Sequence, residues 1–305
     1  MEQKNALNTS PRPAASAPLT PVPSSKNADA QSSGGASLFS VLVIILAFVV
    51  SIIVYKFVLG DPSHFQGNDS KNNPNPGDYL GIVYKGGVIV PILMTMLLCV
   101  ITFSIERLLT ISKAKGSKSI EAFVRTVRQR LNQNDVNGAI AACDQQKGSV
   151  ANVVRAGLNK YQEMTRERGM NTDQKVLAIQ KEIEESTALE LPMLEKNLVI
   201  ISTLASIATL VGLLGTVFGM INAFAALAQA GTPDAVALAN GISEALINTA
   251  LGIGTSALAI VAYNYFTSKI DELTYSIDEA GFSIIQTFAA QNQNQTQSAA
   301  TTQVV

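Results

Sequence analysis

The sequence predicts an all-α membrane protein with four transmembrane helices, the last two forming a tall hairpin that extends into the cytoplasm. Three observations predict this fold class. The 305-residue chain is 47% hydrophobic but only 15% charged, against roughly 25% charged in an ordinary soluble domain. Four stretches are long and apolar enough to cross a hydrocarbon core, which takes about 20 helical residues. Most Lys and Arg residues lie in one segment between the second and third stretches.

These four stretches divide the chain into tails, spans, loops and one long helical segment. The first residues are rich in Pro, Ser and Ala and cannot bury a core, so a disordered tail is expected there. The last residues are polar and of low complexity, which predicts a second disordered tail. The expected segments are a cytoplasmic tail at 1–37, transmembrane helices at 38–59, 88–110, 197–230 and 236–268, a periplasmic loop at 60–87, a helical cytoplasmic domain at 111–196, a periplasmic turn at 231–235, and a helix end with a disordered tail at 269–305.

The last two helices are too long for a bilayer alone. At 1.5 Å per residue each reaches roughly 50 Å, against a hydrocarbon core of about 30 Å. The turn between them is predicted by "QAGTPDAV", in which Gly231 ends one helix and Pro233 suits the first turn of the next. The stretch before the third span predicts a helix that continues directly into it, with Pro192 as a possible kink.

The distribution of Lys and Arg predicts the orientation. Residues 111–196 contain fourteen of the 22 basic residues, whereas the loop at 60–87 has only Lys71 and Lys85 and the short turn has none. By the positive-inside rule the basic segment is cytoplasmic, and both termini are then cytoplasmic as well.

Several function classes are excluded by composition. A formal net charge of −1 gives no reason to expect a nucleic-acid partner. Two cysteines make no disulfide framework, and the only histidine, His64, is expected to be solvated in a polar loop. We find no nucleophile–base constellation, no metal cluster and no phosphate-binding glycine loop, so neither an enzyme nor a cofactor is expected.

One carboxylate lies inside a span. Between Lys196 and Lys269 the only charged side chains are Asp234 and Glu244. Asp234 suits a helix start, whereas Glu244 is expected roughly 16 Å further along the helix, close to the bilayer centre. A carboxylate at that depth costs several kcal/mol, roughly 3 on insertion scales, so a functional role is favoured over a structural ion pair.

Polar and small residues surround this glutamate. Asn240 and Asn248 lie four residues on either side of it and share its face. Counting helical rise places Thr216 and Thr249 at nearly one level, although each hydroxyl could equally bond its own backbone. Close helix packing is expected from the small residues Gly212, Gly215, Gly219, Gly241 and Gly252.

Two signatures resemble a known family. "LVGLLGTVFGMINAF" followed by "GISEALINTALGIGTSALAIVAYNYF" is similar to the MotA/TolQ/ExbB proton-channel family, and within it most to the ExbB/TolQ branch. The resemblance extends over residues 86–278. Such chains usually have three spans, so the helix at 38–59 is an additional one. Chains of the MotA type have four spans but lack the glutamate that matches Glu244.

The resemblance implies a pore. It implies a homopentamer in the bacterial inner membrane whose central pore holds a single-span partner of the ExbD/TolR type. Glu244, Thr216 and Thr249 match residues that line the ion path, with a proton as coupling ion and sodium as a less favoured alternative. Thr209, where the family often has proline, adds a hydroxyl one heptad before Thr216, and Asn240 and Asn248 would extend the polar face.

The function that the resemblance implies is energy transduction. Ion flow would drive work on an envelope-spanning protein of the TonB or TolA type, for biopolymer transport across the outer membrane or for envelope maintenance. A gliding or secretion motor stays open within this class. The alternative from another class is a passive membrane scaffold that organises envelope partners without conducting ions.

Overall fold

The predicted all-α fold class is confirmed, with four candidate membrane-spanning helices. The computed structural model describes residues 33–70, 72–228 and 234–302, with side chains from 40 to 292, and these residues form no β-strand. The chain divides into two units, 1–40 and 41–305. The helices are α1 (Ser33–Ile53), α2 (Tyr79–Tyr84), α3 (Ile89–Lys115), α4 (Ile120–Asn132), α5 (Val136–Gln146), α6 (Gly148–Arg166), α7 (Thr172–Glu195), α8 (Leu198–Leu227) and α9 (Ala235–Thr302).

Four regions are long and apolar enough to cross a membrane. Their bounds are Ser40–Leu59, Ile89–Asn132, Thr172–Leu227 and Ala235–Asn292. Each overlaps one predicted span over most of that span's length. Helix α1 begins at Ser33, five residues before the predicted boundary at 38, and most of its large apolar side chains are exposed, as expected for a surface that faces lipid.

A short π-helix, Val54–Leu59, follows α1 directly. The backbone N–H of Gly60 donates to the carbonyl of Tyr55 at 3.0 Å, which closes the wider turn of this π-helix. A side chain at position 60 would meet both the Lys56 carbonyl oxygen and the Tyr84 ring at 2.7 Å. The chain therefore leaves the span at a glycine because backbone and ring approach closely there.

The loop from 60 to 78 is ordered by its own polar side chains. Asp78 caps α2 by accepting N–H bonds from Leu80 and Gly81 at 3.0 and 3.2 Å. His64 Nδ1 lies 2.7 Å from Asp78 Oδ2, and this hydrogen bond lowers the pKa of Asp78. His64 is therefore a structural partner of Asp78, which corrects the expectation that it is merely solvated.

Helices α4, α6 and α7 pack against the second half of α9, and α5 packs on α4 and α6. Polar residues start these helices, since Ser119, Asp135 and Asn171 each accept a backbone N–H of the first turn. The Tyr161 ring of α6 meets Phe288 of α9 edge to face at 4.9 Å between centroids. The buried core of this region includes Val127, Leu131, Leu158, Ile179 and Ile284. Helix α9 thus joins the apolar spans to the helical segment.

The junction between α7 and α8 differs from the predicted continuous helix. Helix α7 contains Pro192 and ends at Glu195, and Asn197 adopts φ +64 before α8 begins. Proline lacks an N–H and disfavours helical geometry around it. The helix therefore breaks within five residues of Pro192.

Two residues of α3 satisfy the polar groups at this break. Arg107, only 1% exposed, donates through Nη1 to the carbonyls of Leu194 at 3.0 Å and Met193 at 3.3 Å. Glu106 accepts from Arg107 Nε at 2.7 Å and from Asn197 Nδ2 at 3.2 Å. This pair is not only a membrane-boundary feature, because it caps the C-terminus of α7.

The expected disordered tail after the fourth span needs a correction. Helix α9 continues to Thr302, because Ala and Gln in this stretch are good helix formers despite its polar composition. Tyr161 also donates to Gln291 Oε1 at 2.5 Å. Residues 1–32 of the first tail and residues 231–233 of the predicted turn lie outside the described residues.

Candidate functional site

Glycines set the register between α8 and α9. Added side chains at positions 219 and 241 would lie 2.6 and 2.7 Å from backbone atoms of the facing helix. Gly212 faces Gly252, where an added Cβ on Gly212 would lie 3.0 Å from the Gly252 Cα, and Gly215 faces Asn248. Because small residues allow this approach, the polar groups of both helices come within a few ångströms of each other.

Glu244 lies on α9 beside a turn that precedes α3. Its carboxylate is half-buried and accepts from Asn222 Nδ2 of α8 at 3.4 Å. A Cβ added to Gly87, which has φ +77, would lie 2.6 Å from Glu244 Oε1. The carboxylate of Glu244 therefore lies against the backbone of Gly87 on one side and near Asn222 of α8 on another.

The neighbours of Glu244 give its level relative to α3. Gly87 precedes Ile89, the first residue of α3, by two positions, so Glu244 lies beside the N-terminal end of α3. The start of α9 extends past the first residue of α3 by roughly 15 Å, counted at about 1.5 Å per residue.

Asn248 occupies the next turn of the same face. It is fully buried, and its Nδ2 donates to the Gly86 carbonyl at 2.9 Å. Its Oδ1 has no hydrogen-bond partner among the residues that the structure describes. Asn240 lies one turn before Glu244 and is half-buried. The predicted i, i+4 face thus brings Glu244 and Asn248 to one turn, Gly86–Gly87.

The three threonines lie at different places. Thr216 Oγ1 donates to the Leu213 carbonyl at 2.5 Å and Thr249 Oγ1 to the Ala245 carbonyl at 3.2 Å. Thr216 directly follows Gly215, and Thr249 directly follows Asn248. Because Gly215 and Asn248 pack on each other, the two threonines lie at neighbouring levels of the helix pair. Thr209 is exposed on α8. The hydroxyl oxygens retain lone pairs that could accept a further hydrogen bond.

Sequence reasoning missed two parts of this site. The first is the Gly86–Gly87 turn, for which the Gly-Gly dipeptide before an apolar run was the available signal. The second is Asn222, whose amide reaches Glu244 from α8. No spacing rule connects residue 222 to residue 244, because the link depends on how the two helices pair.

The polar side chains of this arrangement stand on apolar parts of α8 and α9. One carboxylate, several amides and hydroxyls line helices that are otherwise apolar. Among the described residues no group of three or more His, Cys, Asp or Glu side chains could hold a metal ion. A half-buried carboxylate between membrane helices typically marks an ion or proton pathway.

Comparison with known proteins supports the same interpretation. The TolQ protein of the Tol-Pal system from Pseudomonas aeruginosa is 27% identical over 158 residues, covering 52% of this chain and 68% of that protein. The biopolymer transport protein ExbB from Neisseria meningitidis serogroup A is 27% identical over 207 residues, covering 65% and 92%. ExbB from Pseudomonas putida is 36% identical over 86 residues, covering 28% and 26%.

A family model matches the part of the chain that contains this site. The match covers residues 145–279 and is described as the MotA/TolQ/ExbB proton channel family. It includes Glu244 and all of α7 and α8, whereas α1, α2 and α3 precede it. Such a family is one of channels and not of enzymes. The segment that contains Glu244 is thus similar to the MotA/TolQ/ExbB proton channel family.

Proposed function

We propose that this protein is an ExbB/TolQ-like ion-conducting stator subunit of the bacterial inner membrane. With a single-span partner of the ExbD/TolR type, it would couple the proton motive force to mechanical work on a TonB- or TolA-like envelope protein. The relatives named TolQ and ExbB support this general role. Outer-membrane import and envelope maintenance are both compatible with it.

A single observation carries the proposal. Glu244 is half-buried and is the one charged residue in the first half of α9, residues 235–268, and it shares a face with Asn240 and Asn248. Thr216 and Thr249 add hydroxyls one turn away. Polar groups within a membrane helix are stable where they face protein or water, so this face would line a pore.

The exposed surface of α8 supports an oligomer. Several large apolar side chains of α8 are exposed in the single chain, among them Leu210, Leu213, Val217, Phe218 and Phe224. In the proposed homopentamer some of these would contact lipid and others a neighbouring subunit. Small residues along α8 and α9 allow close helix approach.

The coupling ion and the orientation complete the proposal. A carboxylate that gains and loses a proton suits proton transport, and threonine hydroxyls could also serve sodium. By the positive-inside rule, the fourteen basic residues of 111–196 support a cytoplasmic location for that segment and for both termini. The outer end of α3, with Glu244 beside it, would then face the periplasm.

Ion flux through the assembled complex tests the proposal. We would reconstitute the chain with an ExbD/TolR-type partner from the same genome and measure proton flux under an imposed motive force. Glu244→Ala should reduce the flux by about tenfold or more, because the carboxylate in the path is lost. Glu184→Ala, which removes an exposed carboxylate on α7, should leave the flux unchanged.

Two results would contradict the proposal. Equal flux in the wild type and in Glu244→Ala would show that Glu244 is not in the ion path. No flux in a wild type that assembles with its partner would favour a passive membrane scaffold instead.

A further inference from the structure

The helix that precedes the family match contacts the candidate site through one side chain. Tyr55 lies in the π-helix after α1, and its ring stacks on Tyr84 of α2 with centroids 4.7 Å apart and planes 22° apart. Its hydroxyl also donates to the Tyr84 carbonyl at 3.2 Å. A ring stack and a hydrogen bond thus join the π-helix that follows α1 to the end of α2.

Tyr84 is held from further sides as well. Phe65, which is 1% exposed, meets its ring edge to face at 5.5 Å. Gly60 lies so close that an added Cβ would be 2.7 Å from the Tyr84 ring. Tyr84 therefore packs against both the π-helix and the loop that follows it.

The turn that touches Glu244 follows Tyr84 within three residues. Gly87 N–H donates to the Tyr84 carbonyl at 3.2 Å, the same oxygen that Tyr55 contacts. Gly86 accepts from Asn248, and Gly87 abuts the Glu244 carboxylate. A continuous chain of contacts therefore runs from α1 to the carboxylate.

We propose that Tyr55 is a positioning residue, through which the additional helix α1 holds the Gly86–Gly87 turn against Glu244 and shields one side of its carboxylate from water. This inference rests on the proposed ion path through Glu244. It assigns α1 a role beyond membrane anchoring.

The π-helix that carries Tyr55 also supplies a control position. Helical turns of this kind are frequent at functional sites. Phe57, two residues after Tyr55, is 74% exposed. The segment thus carries both a contact residue and a matched control.

The first measurement is amide hydrogen exchange on the full chain in detergent or nanodiscs. Tyr55→Ala removes the ring stack and the hydrogen bond, so the amides of Gly86 and Gly87 should exchange about tenfold faster. Tyr55→Phe keeps the stack and should restore most of the protection. Phe57→Ala should match the wild type, and amides of α6 should be unchanged in all variants.

The second measurement is proton flux in the reconstituted complex with its ExbD/TolR-type partner. In the absence of the envelope protein on which work is done, Tyr55→Ala should raise the proton flux by about threefold or more, because the carboxylate is less shielded from water. Tyr55→Phe and Phe57→Ala should keep the wild-type flux. Unchanged exchange in Tyr55→Ala would overturn the inference. Faster exchange with unchanged flux would also overturn it, since the turn would then not shield Glu244.

The two proposals fail in distinguishable ways. If the wild type conducts no ions but Tyr55→Ala still loosens the turn, the proposed channel function fails while the contact from α1 to the turn stands. If the wild type conducts and Tyr55→Ala behaves like it in both measurements, only the role of Tyr55 is lost.

Discussion

At the scale of single residues, the glycines of α8 and α9 differ in what a side chain would meet. Around Gly219 an added Cβ would lie 2.6 Å from the backbone nitrogen of Ala245, whereas around Gly254 nothing lies within 4 Å. The first is therefore required by close helix approach. The second has no such steric requirement within the chain.

We expect Gly219→Ala to lower the free energy of unfolding by about 1–3 kcal/mol, because overpacking forces the helices apart. Gly254→Ala should be neutral or raise it by about 0.5 kcal/mol, since alanine is the better helix former. Thermal unfolding of both purified variants in one detergent checks this. Equal shifts for the two would show that the α8–α9 contact does not depend on Gly219.

Gly87 has a backbone conformation that favours glycine, and it also contacts the candidate site. Its φ of +77 disfavours any L side chain, and an added Cβ would meet Glu244 Oε1. This single position therefore constrains both the turn and the carboxylate. It is the residue through which the loop and α9 meet.

At the scale of elements, the break between α7 and α8 depends on α3. Arg107 fills the carbonyl acceptors that the end of α7 leaves without intrahelical partners. Glu106 balances its charge and also holds Asn197. The orientation of α8 relative to α7 is thus determined by a residue about 90 positions earlier.

Arg107→Met should lower the free energy of unfolding by about 3 kcal/mol, because Glu106 and two carbonyls lose a buried charged partner. The matched control is Arg130→Met, which removes an exposed ion pair to Asp135 at 2.9 Å and should change stability by less than about 1 kcal/mol. Denaturation of both variants measures the difference. Similar effects would mean that the buried pair contributes no more than a surface one.

The loop before α2 is expected to respond to acid. Hydrogen bonding to His64 lowers the pKa of Asp78, so its stabilising contribution is present above the ordinary aspartate pKa, about 3.9, and is lost as the pH falls through the lowered value. Protection of the Leu80 and Gly81 amides should therefore be full at pH 6 and fall below about pH 3.9. Hydrogen exchange corrected for intrinsic pH dependence measures it, and Asp78→Ala, which removes the capping oxygen, should show the loss already at pH 6.

At the scale of the whole molecule, α9 connects two environments. Its first half pairs with α8 among glycines, and its second half packs against α4, α6 and α7 through residues such as Ile284 and Phe288. One continuous helix therefore runs from the candidate ion path to the helical segment. A displacement at one end would be transmitted along a rigid element.

We expect the full chain and an ExbD/TolR-type partner to form complexes of five copies that hold one or two partner chains. The exposed apolar side chains of α8 give the physical reason, since they need lipid or protein contacts. Native mass spectrometry of the detergent-solubilised complex measures the stoichiometry. Monomers or dimers that ignore the partner would contradict the stator proposal, and Glu244→Ala should assemble like the wild type.

The sequence by itself determined the features that are local or periodic. Four apolar stretches of sufficient length identified the four spans, since a bilayer imposes a helix length. The spacing of Asn240, Glu244 and Asn248 placed them on one face, since the helical period is constant. The motifs around Gly215 and Glu244 were enough to indicate the family.

Only the tertiary structure decided which distant residues meet at these features. Nothing local to Pro192 shows that Arg107 caps the helix after it, and nothing local to Glu244 shows that Gly87 and Asn222 contact it. The level of Glu244 relative to α3 is decided in the same way, because helical rise measures distance along α9 and not the offset between α9 and α3. Such contacts depend on how long helices pair in space, which is a property of their packing and not of any one segment.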